Sequence, residues 1–157
     1  MNLRVEDVRH LIESCQKKFP DSPLLWLRDL TSYLNMKLSI EKKDEVTFFN
    51  GLPLSVLSQN MKKAIYGMVN SLPDQMKDIY LDTCLTNLAH ELSKNLSVNG
   101  WMIMIQVLTD IKPSSINSNL SRLIELRTSY LNRPHIGLMI LWSAGNVFFG
   151  LSALINT

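Results

Sequence analysis

The stretch 22–38, SPLLWLRDLTSYLNMKL, constrains the fold more than any other part of this chain. Ser22 is a residue type favoured at a helix N-cap, and Pro23 suits the first helical position because an N–H is not needed there. At about 100° per residue, the apolar side chains fall on one half of this helix. They are Leu24, Trp26, Leu27, Leu30, Tyr33, Leu34 and Leu38. An apolar arc this wide must be covered by neighbouring helices on more than one side, so we predict a scaffold helix.

The other half of this helix is polar and is one candidate for a surface that binds a partner. Its side chains are Arg28, Asp29, Ser32 and Asn35. The segment 41–49 is a second candidate, because a charged stretch is followed there by Phe48 and Phe49. Ordinary solvated surface is an equally good interpretation of each.

Apolar residues recur at helical spacing along most of the remaining chain, and no strand pattern competes with them clearly. The predicted helical regions are about 4–18, 22–38, 52–72 with a break near Ser58, 73–96, 99–112 and 113–131, and a last segment follows Pro134. The buried stripe predicted on 73–96 consists of Leu81, Cys84, Leu85, Leu88 and Leu92. On 113–131, the residues predicted to face inward are Ile116, Leu120, Leu123, Ile124, Tyr130 and Leu131. The region 99–112, NGWMIMIQVLTDIK, is apolar enough to be buried on nearly all sides. A buried strand would also fit so short a run, but its helical neighbours favour a core helix.

Proline placement supports an all-α chain organised in helix pairs. All six prolines fall in linkers or first turns of the predicted helices, where proline is tolerated. Pro23, Pro73 and Pro113 each begin the second helix of a pair, at intervals near the 40–47 or so residues of HEAT and armadillo repeats. We therefore predict one domain over 1–157, an all-α array of helical pairs with about seven helices. A compact irregular bundle is the alternative.

The segment 136–155, IGLMILWSAGNVFFGLSALI, raises the question of a membrane span. Its twenty residues carry no charge, and about twenty apolar residues are the length that crosses a bilayer core. Asn146 lies at the centre, and Ser143, Gly150 and Ala153 lie on the same side, which suits close packing against another helix. We favour a buried helix, with a transmembrane helix as the alternative.

The chemistry of catalysis and cofactor binding is not visible in the sequence. The net charge of +2, without a basic stripe, argues against a nucleic-acid-binding protein. His10, His90 and His135 show no metal-ligand spacing, and Cys15 and Cys84 fall on apolar faces, as inert core thiols do. Asp74, Asp78 and Asp82 are spaced like a carboxylate pair, but Asp74 and Asp78 are expected in or near the first helical turn, where acids complement the helix dipole. We predict no enzyme, no cofactor and no metal site.

Three segments of the chain resemble the transmembrane protein 214 family. They are FPDSPLLWLRDLTSYLNMKL at 19–38, NGLPLS at 50–55 and NRPHIGLMILWSAGN at 132–146, and they keep the family's order. The signature positions within them are Pro23, Trp26, Leu27, Leu30, Tyr33, Leu34, Pro134 and Trp142. Because family members are considerably longer, the resemblance implies that the chain corresponds to an N-terminal cytosolic helical part, or to a shortened member.

The resemblance also implies a function that the residues themselves do not show. It implies a non-enzymatic scaffold or adaptor of the endoplasmic-reticulum membrane, with its helical domain facing the cytosol and a procaspase as its protein partner. The implied process is apoptosis under reticulum stress, in which the procaspase is held at the membrane. The membrane would be reached through regions outside this chain or through 136–155. The alternative is a small membrane-embedded protein whose last helix spans the bilayer.

Overall fold

The computed structural model describes residues 3–38, 57–137 and 139–140, and this part of the chain is all-α. Its seven helices are α1 (Val5–Lys18), α2 (Pro23–Lys37), α3 (Gln59–Asn70), α4 (Asp74–Ser93), α5 (Asn99–Ile111), α6 (Ser115–Ser118) and α7 (Leu120–Ser129). The backbone is helical again at 134–137 and 139–140. The predicted fold class is confirmed, and the predicted starts and ends of the first five helices agree with the structure to within a few residues.

Helix α5 is the centre of the fold. Every residue from Asn99 to Thr109 is buried, which confirms the predicted core helix. Helices α2, α3, α4 and α6 pack around it, while α1 packs on α2 and α3. A helix that is apolar on all sides is stable in water only when neighbours cover its whole circumference, and these four helices do so.

The start of α5 lies directly against the backbone of α2. The Gly100 N–H donates to the Asn35 side-chain oxygen at 2.7 Å, and the Asn99 side-chain amide donates to the Leu38 carbonyl at 2.6 Å. A Cβ atom at Gly100 would overlap the Thr31 carbonyl oxygen and lie 2.8 Å from the Asn35 backbone nitrogen. The absence of a side chain at Gly100 therefore sets how closely the two helices approach.

Helix α2 is the predicted scaffold helix, with a narrower buried face than its sequence suggested. Leu27, Leu30 and Leu34 are fully buried, as predicted, but Leu24 is exposed and Trp26 and Tyr33 are half-buried. Pro23 is at the start of the helix as predicted, whereas the Ser22 hydroxyl makes no capping hydrogen bond. The buried face of α2 is narrower than the predicted apolar arc because α1 and α5 cover the side of α2 that contains the three leucines.

A buried hydrogen-bonded pair, not predicted from the sequence, joins α2 to α4. The hydroxyls of Thr31 and Tyr80 are 2.6 Å apart, and the Thr31 hydroxyl also donates to the Leu27 carbonyl at 2.7 Å. Thr31 is fully buried, and burial raises the pKa of Tyr80 far above its usual value. Each hydroxyl has a partner, so these polar groups are buried without the cost of an unsatisfied hydrogen bond.

The region 113–131 differs from the single helix predicted there. Asn119 separates α6 from α7, and its side chain donates to the Ser115 carbonyl at 2.8 Å and the Asp78 carbonyl at 3.2 Å. Beyond this break, the residues that face the core can no longer be found by counting helical spacing from Ile116. Our prediction that Leu120, Ile124 and Leu131 face inward is therefore wrong, since they are 43%, 62% and 65% exposed. Leu126 is the buried residue of α7.

We expect Gly100→Ala to destabilise the protein by about 1–3 kcal/mol, because the new methyl group would push α5 away from α2. Urea denaturation of the two proteins measures this difference. The matched control is Gly67→Ala in α3, where a Cβ atom meets nothing within 4 Å. This control should be stabilising by about 0.5–1 kcal/mol, as expected for alanine replacing glycine inside a helix. A neutral Gly100→Ala variant would contradict the described contact.

We expect Trp26→Ala to cost less stability than Leu30→Ala, although tryptophan is the larger side chain. Leu30 is fully buried, so its truncation should cost about 2–5 kcal/mol. Trp26 is half-buried, and its indole N–H donates to the Phe19 carbonyl at 2.6 Å, so about 1–3 kcal/mol is expected. Thermal or urea unfolding ranks the two variants. A larger loss for Trp26→Ala would make Trp26, and not Leu30, the anchor of α2.

Candidate interaction surface

The row of aspartates on α4 forms ion pairs and not a carboxylate pair. The salt bridges join Asp74 to Lys77 at 3.2 Å, Asp78 to Lys112 at 2.9 Å, and Asp82 to Arg122 at 2.6 Å. Only Asp74 lies in the first helical turn, where an acid complements the helix dipole. Asp78 reaches the end of α5, and Asp82 reaches α7. This row therefore has a structural role in holding three helices together.

The Asp78 carboxylate is stabilised in its charged form. Burial alone would raise its pKa, but the hydrogen bond from Lys112, the Ser115 hydroxyl, the positive charge of Lys112 and the Ser118 hydroxyl together outweigh burial and lower the pKa below its usual value. Because the folded state has the lower pKa, this pair stabilises the protein at neutral pH, and the stabilisation is lost as the pH falls through the folded-state pKa. Such behaviour is that of a structural ion pair, not of a general base.

A shallow groove of about 380 Å³ runs between α4 and α7. Its walls are formed mainly by polar side chains, among them Asp82, Arg122 and Glu125, and Ile79 adds an apolar edge. Arg122 also pairs with Glu125 at 3.0 Å, so the charges of the groove largely satisfy one another. Small-molecule sites are usually enclosed clefts, whereas this groove is open to solvent, so its shape does not suit a small-molecule site.

The outer face of α7, next to this groove, exposes aliphatic side chains. Leu120 and Ile124 are four residues apart and lie on one face of the helix, and Leu131 is exposed just beyond its end. A cluster of exposed aliphatic residues rimmed by polar ones is typical of protein-binding surfaces. This face was not among our sequence-based candidates, because the same residues were assigned to the core.

The structure does not keep Arg28, Asp29, Ser32 and Asn35 together as one exposed surface. Arg28 and Ser32 are exposed, as predicted. Asp29, however, accepts a hydrogen bond from the Cys15 thiol at 3.5 Å, and Asn35 accepts the Gly100 N–H. Two of the four residues are therefore committed to contacts with α1 and α5. The second candidate, the segment 41–49 with Phe48 and Phe49, lies outside the described residues.

The signature residues that the structure describes are mostly parts of the core of α2. Leu27, Leu30 and Leu34 are buried, Pro23 begins the helix, and Trp26 and Tyr33 lie at the edge of the core. Pro134 begins the helical stretch 134–137 and is exposed. Trp142 and the segment 50–55 lie outside the described residues. The described signature positions therefore belong to α2 or to a helix start, and their role as a structural signature of the family stays a prediction.

The cysteines and histidines occupy unconnected positions in the described part of the chain. Cys15 and Cys84 are free and buried, as predicted, and burial raises the pKa of both thiols. His10, His90 and His135 are exposed, each on a different element. Within residues 3–38, 57–137 and 139–140, no three histidine, cysteine, aspartate or glutamate side chains are grouped so that they could hold a metal ion.

The possible membrane segment 136–155 falls mostly outside the described residues. Of its described part, Ile136 and Ile140 are buried in the core, and Met139 packs against it. Among the helices that the structure describes, none combines the length and hydropathy that a membrane span requires.

Comparison with known proteins gives a family match over nearly the whole chain. A family model described as "TMEM214, C-terminal, caspase 4 activator" matches residues 1–151. Transmembrane protein 214-B of Xenopus laevis is 31% identical to this chain over 150 residues. The proteins named Transmembrane protein 214 of Rattus norvegicus and Homo sapiens are each 30% identical over 151 residues. No solved structure matches the chain.

The chain corresponds to a small part of these relatives. Each alignment covers 94% of this chain and 22% of the relative. The description of the family model names a C-terminal region, which disagrees with the N-terminal position that we expected from the resemblance. The family itself is the one expected: the match over residues 1–151 and the identities of about 30% show that this chain belongs to the transmembrane protein 214 family.

Proposed function

We propose that this chain is a non-enzymatic adaptor that binds a caspase precursor and takes part in apoptosis under endoplasmic-reticulum stress. The observation that carries the proposal is the family match over residues 1–151, since the description of that family names a caspase 4 activator. Activation of a caspase by a non-enzymatic protein requires binding, and binding requires an exposed surface on a folded body. The helical body described above, with the exposed face of α7, supplies one.

The packing of the core supports the role of a rigid scaffold. Helix α5 is fully enclosed, and the polar groups that are buried around it bond mainly to each other or to the backbone, as Thr31 does to Tyr80. Such a core holds its surface helices in fixed positions, and preformed surfaces lose little conformational entropy on binding. The proposed mechanism is presentation of a fixed helical surface to the caspase precursor, without covalent chemistry on either protein.

We include a membrane in the proposal because the relatives are named transmembrane proteins. We place the helical domain on the cytosolic side of the endoplasmic-reticulum membrane, where a caspase precursor could reach it. Attachment would come from regions outside this chain, because the buried side chains of Ile136 and Ile140 tie the start of 136–155 to the protein core. Holding the precursor on a two-dimensional surface raises its local concentration and favours its association with other copies.

Binding of the purified 157-residue chain to recombinant caspase 4 precursor tests the proposal directly. We expect saturable binding with a 1:1 ratio by isothermal titration calorimetry, with a negative heat-capacity change because aliphatic surface is buried. The precursor of an executioner caspase is the control and should bind much more weakly. Absence of binding to the caspase 4 precursor, or equal binding of both precursors, would contradict the proposed function.

A further inference from the structure

The outer face of α7 combines aliphatic residues with one cation that has no ion pair among the described residues. Leu120, Ile124 and Arg127 follow one another at four- and three-residue spacing, so they form a single row along the helix. Leu131 follows two residues beyond the helix end, and all four side chains are exposed. In the described residues, the four ion pairs of the protein do not include Arg127. We refer to Leu120, Ile124, Arg127 and Leu131 as the α7 row.

From the α7 row we infer the partner chemistry of the proposed adaptor: the row binds an amphipathic helix of the caspase precursor that carries aliphatic residues on one face and an acidic residue among them. The inference rests on the proposed function and adds to it the binding surface and the chemistry of the bound segment. Helices recognise each other through residues at three- and four-residue spacing, and the α7 row has that spacing.

Arg127 decides which kind of helix fits. Arg127 follows Ile124 by three residues on the same helix face, so a partner helix that covers Ile124 must face Arg127 with an acidic, a neutral or a basic side chain. An acidic side chain would pair with Arg127, and its charge would be complementary in a partly desolvated contact. A purely aliphatic helix would bury the cation without a partner, which is costly. Charge complementarity therefore selects an acidic residue within the aliphatic face.

The same cation argues against a second copy of this chain as the occupant. Pairing of two α7 rows would bring two Arg127 side chains into one interface, and like charges placed together there are unfavourable. The segment 141–157 does not supply the acid, because its sequence contains no aspartate or glutamate. Glu41, Asp44 and Glu45 lie outside the described residues. We assign the row to an acidic segment of a different protein because the proposed function requires a surface that binds one.

A lipid surface is also a poorer match for the α7 row than a protein helix. Helices that lie on membranes carry several lysine or arginine residues on their polar face. On α7, the described cations are Arg122 and Arg127, and Arg122 is already paired with Asp82 and Glu125. Glu125 is itself exposed and would be repelled by anionic lipids. Arg127 is the one cation of α7 without an ion pair among the described residues, and one cation suits a single carboxylate better than a layer of phosphates.

The test compares binding of recombinant caspase 4 precursor to the full chain and to three single variants of the α7 row. Ile124→Ser removes aliphatic contact area and Arg127→Glu reverses the charge, and each should weaken binding by at least about tenfold. Arg127→Lys keeps the charge and should weaken binding less. Leu96→Ser is the matched control, because Leu96 is similarly exposed but lies between α4 and α5. Circular dichroism should show that every variant remains folded, because the altered side chains are exposed.

The outcomes separate this inference from the proposed function. If the unaltered chain binds the precursor and the α7 variants bind equally well, the α7 row is overturned as the surface while the adaptor function stands. If Arg127→Glu alone binds normally, the acidic partner is overturned. If the unaltered chain does not bind at all, the proposed function fails and the inference fails with it. If the unaltered chain dimerises and Ile124→Ser does not, the row binds a second copy of this chain and the inference is overturned. If the unaltered chain binds phosphatidylserine vesicles and Ile124→Ser does not, the row binds lipid and the inference is likewise overturned.

Discussion

The close contact between α5 and α2 at Gly100 is the constraint on which the rest of the structure depends. Helix α5 has no polar face, so it is stable only inside a shell of other helices. Its first turn lies on the backbone of α2, where the Gly100 N–H donates to Asn35 and the Asn99 amide donates to Leu38. These hydrogen bonds satisfy groups at a buried helix start that no residue of α5 could satisfy. Once this contact is formed, α3, α4 and α6 complete the shell around α5.

Helices α6 and α7 are held in place by a different kind of interaction. Helices α6 and α7 are joined to α4 largely through polar contacts, namely the Asp82–Arg122 ion pair and the hydrogen bonds of Asn119, while Leu126 is the buried side chain of α7. Leu126 and the partly buried Leu123 face the core, while Leu120 and Ile124 are exposed on the other side of α7. The surface that we propose for partner binding lies on this exposed side, and the Asp82–Arg122 ion pair joins α7 to α4.

The sequence-based predictions of burial succeeded where the residue pattern of a single helix was sufficient to make them. Helix α5 could be recognised because an uninterrupted apolar run needs burial on all sides, and the buried leucines of α2 and the stripe on α4 follow from their spacing. The prediction failed at α7 because it assumed an unbroken helix from Ile116. The Asn119 side chain bonds to two backbone carbonyls, Ser115 and Asp78, and the helix is interrupted there. One of these carbonyls belongs to another helix, so local sequence does not reveal the break.

The sequence by itself determined that the chain is all-α, that its most apolar helix is central, that Cys15 and Cys84 are buried, and to which family it belongs. All of these follow from patterns within short stretches or from similarity along the whole chain. Only the tertiary structure decided that the Asn35 side chain accepts a hydrogen bond from α5, that Asp78 and Asp82 of α4 pair with Lys112 and Arg122, and that Leu120 and Ile124 face outward. Each of these depends on residues more than thirty positions apart or on the phase of a helix after a break. Such relations exist only once the helices are packed, which is why the candidate surface could not be predicted and the core could.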